Sequence, residues 1–243
     1  MSSLTRGVFL YNTIFTTMSS IDSCIKTLYR FLTDERKQRF EEVLEKRTKY
    51  ITVVLEDVFQ SRNSSAVMRS ADGFGLQELH IIENDHKWTG TKSVSKGASS
   101  WLTLHKYGGD DPTTECLENL KSLGYRVVAT SPHEGGYTPE TLPIDKPLAI
   151  IMGTELTGIS TNAKSQVDNF VEIKMYGFSE SFNVSVATAV ILNSLINRLD
   201  KIDFDKGLSE EEKQKLRLIW AYRTVKDPDA ILRHYGMKLP FEI

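Results

Sequence analysis

Three hydrogen-bonding side chains crowd one helix entrance in SESFNVSVATAVILN, where Ser181, Asn183 and Ser185 precede a strongly apolar run. A helix start needs one side-chain oxygen as its N-cap. One of Ser181 or Asn183 fills that role, and the others need different partners or are redundant caps. A second candidate is IIMGTELTGIS. Its strand ends at Gly153, where the missing Cβ allows close backbone approach, and Glu155 follows. Gly158 then permits a left-handed turn before the capping residue Ser160. The lysine and hydroxyl of a phosphate-binding P-loop are missing from it. A third is FQSRNSSAVMR, with Asn63 at a helix entrance and Arg69 six residues later, off its face. Read plainly, Asn63 or Ser64 is an N-cap and Arg69 a surface cation. Against that, a guanidinium on a helix flanked by strands has to be paired or point into a cleft. The fourth candidate is Thr130, which ends the strand VVATS and can face a crevice ligand.

These residues must be positioned by alternating elements. TDERKQRFEEVLEKRTK (33–49) predicts a helix capped by Thr33 or Asp34, with Phe40, Val43 and Leu44 as its apolar side. ITVVLEDV is a β-branched run of the kind found in buried strands. The segment from Gln60 passes into a helix ending at Gly73 or Gly75, and LQELHIIEN is the next strand. TTECLENLKSLG is an amphipathic helix, YRVVATS, PLAIIMG and NFVEIKM are strands, and residues 184–199 form a helix apolar enough to be buried on more than one side. SEEEKQKLRLIWAYR is a serine-capped accessory helix. Strand, helix and strand with short joins imply a parallel α/β sheet with helices on both faces. Ligands of such sheets sit beyond the carboxyl ends of the strands, where all four candidate segments fall.

Composition sets the class. The chain has 243 residues, 40% hydrophobic and 26% charged, with a formal net charge of -2. That balance is ordinary for a globular protein and does not mark a nucleic-acid binder. The segment from Lys26 to Lys49 is nonetheless mildly basic, carrying Arg39 and Arg47 among its cations. Cys24 and Cys116 have no metal-ligand spacing and suit a reducing, cytoplasmic compartment. No apolar run approaches the roughly 20 residues of a membrane helix. Neither a metal nor a membrane is expected as a partner. Residues 1–19 contain GVFLYNTIF, broken by Asn12 and Thr13, and Met18 opens a plausible start. They are expected to be a disordered or mis-assigned leader.

In this order, the segments resemble the SpoU branch of RNA 2′-O-ribose methyltransferases over about residues 50–200. RNSSAVMRSADGFG is similar to that family's N-x-x-A-x-x-R motif followed by glycine. IIMGTELTGIS is similar to its G-x-E-x-x-G-[IVL]-[ST] motif, and IKMYGFSESFNVSVATAVIL to its third, with core S-L-N-V-S-x-A. The resemblance implies a parallel α/β core with a C-terminal deep trefoil knot, which binds S-adenosylmethionine and works as a homodimer. By matching position it places Thr130, Gly153, Ile173 and Phe182 in the cofactor pocket, and Asn63, Arg69, Glu155, Ser181 and Asn183 in the catalytic set. It also implies domain bounds: a helical RNA-binding arm at 20–50, the knotted domain at 51–200 and a helical extension at 201–243. The departures are Lys174 in place of proline, Phe182 in place of leucine, and INRL where an arginine-rich stretch is usual.

The short arms resemble those of the TrmH group, which methylates the ribose of a D-loop guanosine in tRNA. That likeness puts Arg39 and Arg47 on tRNA-contact positions. Ribosomal RNA, another tRNA position, or a silent RNA-binding chaperone are the alternatives. The family's proposed base is the arginine matched by Arg69. A free guanidinium holds its proton to a pKa above about 12. A physically easier role for Arg69 is to hold the RNA phosphate and stabilise the emerging alkoxide, with the proton leaving through phosphate or water.

Overall fold

The protein is described by a computed structural model covering residues 20–58, 60–85, 87–88, 97–155 and 157–243. The expected leader, including Met18, lies outside the described residues. The chain forms two compact units, one spanning Arg47–Gly207 and the other joining the segments before and after it in the chain.

The larger unit holds six strands, β1 (Ile51–Glu56), β2 (Glu78–Ile82), β3 (Thr103–Tyr107), β4 (Arg126–Thr130), β5 (Leu148–Met152) and β6 (Asn169–Val171). They form one sheet in the order β3-β2-β1-β5-β4-β6, with every pairing parallel. Its helices are α3 (Ser61–Gly73), α4 (Pro112–Ser122), α5 (Thr161–Gln166) and α6 (Val184–Leu199). Successive strand side chains point to opposite faces. Ile51, Val53 and Leu55 therefore join one core with Val67 and Met68 of α3 and Ile191 and Leu195 of α6. Val54 joins the other, with Leu117 and Leu120 of α4 and Ala163 of α5. This double burial is why β1 and β5 read as continuous apolar runs. Each such Val, Leu or Ile contributes about 1.5–3 kcal/mol on burial.

The second unit carries α1 (20–29), α2 (Asp34–Leu44), α7 (Glu210–Thr224) and α8 (Pro228–His234). Thr33 caps α2, and Ser209 with Glu212 forms a capping box on α7. The two terminal segments pack together: the Phe40 ring meets Trp220 edge-on at 5.6 Å, and Arg217 reaches Glu41 at 2.7 Å.

Three expectations change. The helix predicted over 33–49 stops at Leu44, because residues 47–48 leave it to bond elsewhere. Thr48 N donates to the Gly75 carbonyl and Thr48 Oγ1 to the Lys206 carbonyl. The edge strand β3, TLHKY, carries no apolar run and escapes sequence patterning, while β6 is shorter than NFVEIKM predicts. Finally, α6 buries one side only. Val184, Thr188, Ile191, Leu192, Leu195 and Leu199 point inward, whereas Val186 and Val190 are exposed.

Arg47 also departs from its expected place at a tRNA surface. Its side chain is 1% exposed, with Nη1 donating to the Leu76 carbonyl at 2.7 Å and Nη2 paired with Asp72 at 2.5 Å. A guanidinium enclosed in this way cannot reach a phosphate; it pins the chain entering β1 to the end of α3. Arg47→Ala is expected to destabilise the fold by about 2–4 kcal/mol, because it strands carbonyls and removes a buried side chain. Arg39, exposed on α2 and paired only at the surface with Glu42 (3.2 Å), should tolerate alanine within about 0.5 kcal/mol. Urea unfolding of both variants checks the contrast.

Candidate active site

The loop after β5 is shaped by two glycines. A Cβ on Gly153 would lie 2.3 Å from the carbonyl carbon and oxygen of Gly158, so no side chain fits there. Gly158 has φ +67, the left-handed conformation that glycine adopts at low cost. Thr154 and Gly158 exchange backbone hydrogen bonds at 2.9 and 3.1 Å, closing a tight loop that presents Glu155. The loop's far end is anchored by Glu56, the last residue of β1 and 2% exposed. Its carboxylate accepts from Ser160 N (2.8 Å), Ser160 Oγ (2.7 Å) and Thr113 Oγ1 (3.0 Å). Ser160 Oγ in turn caps α5. Sequence reading missed Glu56; its signal was a carboxylate ending an otherwise apolar strand.

Asn183 is the N-cap of α6. Its Oδ1 accepts from Ser185 N at 3.0 Å and from Ser185 Oγ at 2.6 Å. Its Nδ2 is thereby free to point outward and donates to Glu155 Oε1 at 2.8 Å and to Asn63 Oδ1 at 3.2 Å. Asn63 Nδ2 completes the triangle, donating to the same Glu155 oxygen at 2.5 Å. Residues separated by 120 and 92 positions in the chain thus join the start of α3, the loop after β5 and the start of α6. Asn63 is not an N-cap, and neither is Ser64. The helix begins at Ser61 behind Gln60, which makes no side-chain cap, and Ser64 Oγ donates to the Val58 carbonyl at 2.7 Å. Helix capping therefore leaves the Asn63 amide available for the triangle.

Beside this triangle lies a cavity of about 250 Å³ at the carboxyl ends of β4 and β5. Its walls include Thr130, Gly153, Ile173 and Phe182, all four positions expected around a cofactor, and also Glu155 and Ser181. Met152, Ile173 and Ile191 make it apolar in depth, and Phe182, 41% exposed, stands at its wall. Thr130 is not free to serve a ligand with its hydroxyl proton, since Oγ1 donates to the Ile151 carbonyl at 3.0 Å. Ser181 is exposed and makes no hydrogen bond that holds it to α6. His133, Glu180 and Lys164, the last paired with Glu134 at 2.7 Å, add ionisable groups that sequence reading passed over. The signal for His133 and Glu180 is position, since both sit on loops that follow strands. A mixed wall of apolar side chains and loop backbone suits a nucleoside joined to a charged amino-acid tail.

Arg69 is a surface cation, as the plain reading of its helix has it. It is exposed on α3 and makes no hydrogen bond or ion pair with any described residue. The requirement that it be paired or sheltered in a cleft does not hold, because the turn of α3 that carries Val67 and Met68 into the core carries Arg69 to solvent. The structure brings Asn63, Glu155 and Asn183 together, puts Ser181 and Phe182 beside them, and leaves Arg69 apart.

The comparisons with known proteins agree with this geometry. Residues 50–193 match the family described as SpoU rRNA Methylase family. A tRNA (guanosine(18)-2'-O)-methyltransferase of Borreliella burgdorferi is 44% identical over 203 residues, covering 84% of this chain and 92% of its own. The enzyme of the same name from Aquifex aeolicus is 33% identical over 195 residues, covering 79% and 91%. Among solved structures, the A. aeolicus TrmH/SpoU tRNA modifying enzyme superposes with a TM-score of 0.70 at 30% identity, over 79% of this chain and 98% of that one. The SpoU methyltransferase AviRb from Streptomyces viridochromogenes, solved in complex with AdoMet, shares the fold with a TM-score of 0.55 at 22% identity, over 66% and 62%. With its motifs in register, its sheet in this order and the match spanning residues 50–193, the chain belongs to the SpoU methylase family.

Proposed function

We propose that this protein transfers a methyl group from S-adenosylmethionine to the ribose 2′-hydroxyl of a guanosine in the D-loop of tRNA, acting in the cytoplasm as a homodimer. The observation that carries the reading is the Asn63–Glu155–Asn183 triangle beside a cavity walled by Thr130, Gly153, Ile173 and Phe182. The substrate comes from the tRNA guanosine methyltransferases that the chain matches over most of its length.

When bound, S-adenosylmethionine supplies an electrophilic methyl group. The protein's contribution is chiefly alignment and electrostatics. Phe182 and Ile173 offer apolar walls to the adenosine, and the tight Gly153–Gly158 loop offers backbone groups. Glu155 has one oxygen committed to two amide donors, so its role is to lock the loops rather than to take a proton. Ser181 lines the cavity and makes no hydrogen bond with any described residue, which supports a role in orienting the ribose. Arg69, free of carboxylates, is available to grip an RNA phosphate and stabilise the alkoxide as the hydroxyl proton departs to phosphate or water. Arg39 remains exposed on α2 as a tRNA contact.

The knotted path and the dimer belong to the same proposal. β6 lies at the sheet edge beside β4, yet the helix that follows packs with α3 in the core over β1. Residues 172–183 must therefore cross the carboxyl ends of β4 and β5, the course a threaded segment takes. A second copy would cover the apolar face of α6 at Val186 and Val190, together with the exposed Tyr176 and Phe178. Sedimentation velocity should give a species of twice the chain mass, and Val190→Glu should return it to a monomer.

Transfer of tritiated methyl groups from S-adenosylmethionine into bulk tRNA, followed by mapping of the labelled nucleotide, tests the function. Label in ribosomal RNA alone would refute the tRNA assignment, and label in neither would leave an RNA-binding protein without catalysis. Asn183→Ala should lower cofactor affinity by at least about tenfold and stability by about 1–2 kcal/mol, since it removes a cap and two bridging bonds together. Unaltered calorimetric affinity and melting temperature would refute its role.

A further inference from the structure

Far from the cavity, Glu78 and His80 on β2 meet His105 on β3. Residues two apart on a strand share a face, and in the parallel register His80 lies directly opposite His105. One ligand atom from each of the three lies within 4.8 Å of the others. His80 is 2% exposed, and its Nδ1 is 3.1 Å from the Tyr107 hydroxyl, which accepts from Asn119 Nδ2 at 3.0 Å. Assigning the ring proton to that contact makes Nε2 the lone-pair nitrogen. Among the described residues that Nε2 is buried with no hydrogen-bond partner, and His105 Nε2 is buried with no hydrogen bond of normal length. Glu78 Oε1 stands 3.7 Å from His105 Nε2 and 2.9 Å from Lys49 Nζ.

We propose that Glu78, His80 and His105 hold a divalent transition-metal ion of the zinc class, with water as a fourth ligand. Two imidazole nitrogens and one carboxylate form a donor set suited to zinc rather than magnesium or calcium, which prefer oxygen. One ion would satisfy both nitrogens. The Tyr107 hydroxyl would act as the outer partner that fixes a ligating histidine's tautomer. The rings are 4.6 Å apart and 17° from parallel, so His105, 38% exposed on the edge strand, must tilt to reach the ion. Lys49 must release the Glu78 oxygen. None of these residues lines the cavity. The ion would fasten β3 to β2 rather than take part in methyl transfer.

Full-length, tag-free protein stripped with chelator and titrated with zinc chloride should take up one ion per chain and melt at a higher temperature. Cobalt(II) should give the visible absorption of a tetrahedral site. His105→Ala and Glu78→Gln should each weaken zinc by more than about 100-fold, beyond the roughly 10–100-fold typical of an outer-partner loss, which Tyr107→Phe should show. The metal-free melting temperature of His105→Ala should stay near that of the parent, because the removed ring is partly exposed. Absence of one-to-one uptake, or parental zinc affinity in His105→Ala, overturns the site.

Discussion

Arg69→Ala should lower methyl transfer at least about 100-fold while S-adenosylmethionine affinity and folding stability stay nearly unchanged. The size follows from the chemistry, since stabilising charge that develops on a reacting oxygen is commonly worth about 10²- to 10³-fold. The selectivity follows from geometry. Arg69 touches no described residue by hydrogen bond or ion pair and lies at the surface of α3, so its removal opens no cavity and breaks no internal pair. Surface substitutions of that kind change stability by less than about 0.5 kcal/mol. Arg69→Lys should recover only part of the rate, since an ammonium keeps the charge but loses the forked donors that suit a phosphate. Single-turnover tritium transfer, run beside calorimetric titration of the cofactor, separates these effects. Near-normal turnover in the alanine variant would remove Arg69 from the mechanism.

Gly153→Ala should damage the other half of the reaction, cofactor binding. The added methyl would fall 2.3 Å from backbone atoms of Gly158 and 2.4 Å from Ile159 N, none of which is a flexible side-chain end that can swing aside. The loop must open, at a cost of about 1–3 kcal/mol. Glu155 moves with it and loses alignment with Asn63 and Asn183. Affinity for S-adenosylmethionine should fall at least about tenfold, with a lowered melting temperature. Gly158→Ala isolates the second cause. A Cβ there meets no atom within 4 Å, so only the left-handed backbone at φ +67 resists it, at about 1–2 kcal/mol. If Gly153→Ala binds cofactor normally, the cavity beside the triangle is not the cofactor site.

Much of this site was legible before folding was considered. A glycine ending a buried strand, a second glycine five residues on and a serine heading a short helix each announce a local backbone need. The structure meets those needs at Gly153, Gly158 and Ser160. The four expected cofactor positions also converge on one cavity. Charged side chains were harder. Arg39 and Arg47 look alike in a basic helical stretch, yet one is solvated and the other is enclosed by Asp72 and the Leu76 carbonyl. The surroundings of Arg47 come from α3 and the start of β2, which the residues around it in the chain cannot encode.

The alternation of strands and helices, the double-sided core of β1 and β5, the glycine-shaped loop after β5 and the excess of polar groups before α6 could all be read along the chain. These depend on interactions within a few residues: pleat, helix period, capping and the space a Cβ needs. Only the folded arrangement turns the Asn63 amide away from a cap and toward Glu155 and Asn183. It also decided that α6 keeps one apolar side uncovered and that His80 faces His105. Each of those outcomes depends on which distant strand or loop the sheet order brings alongside, and a hydrogen bond across 92 or 120 residues has no local signature.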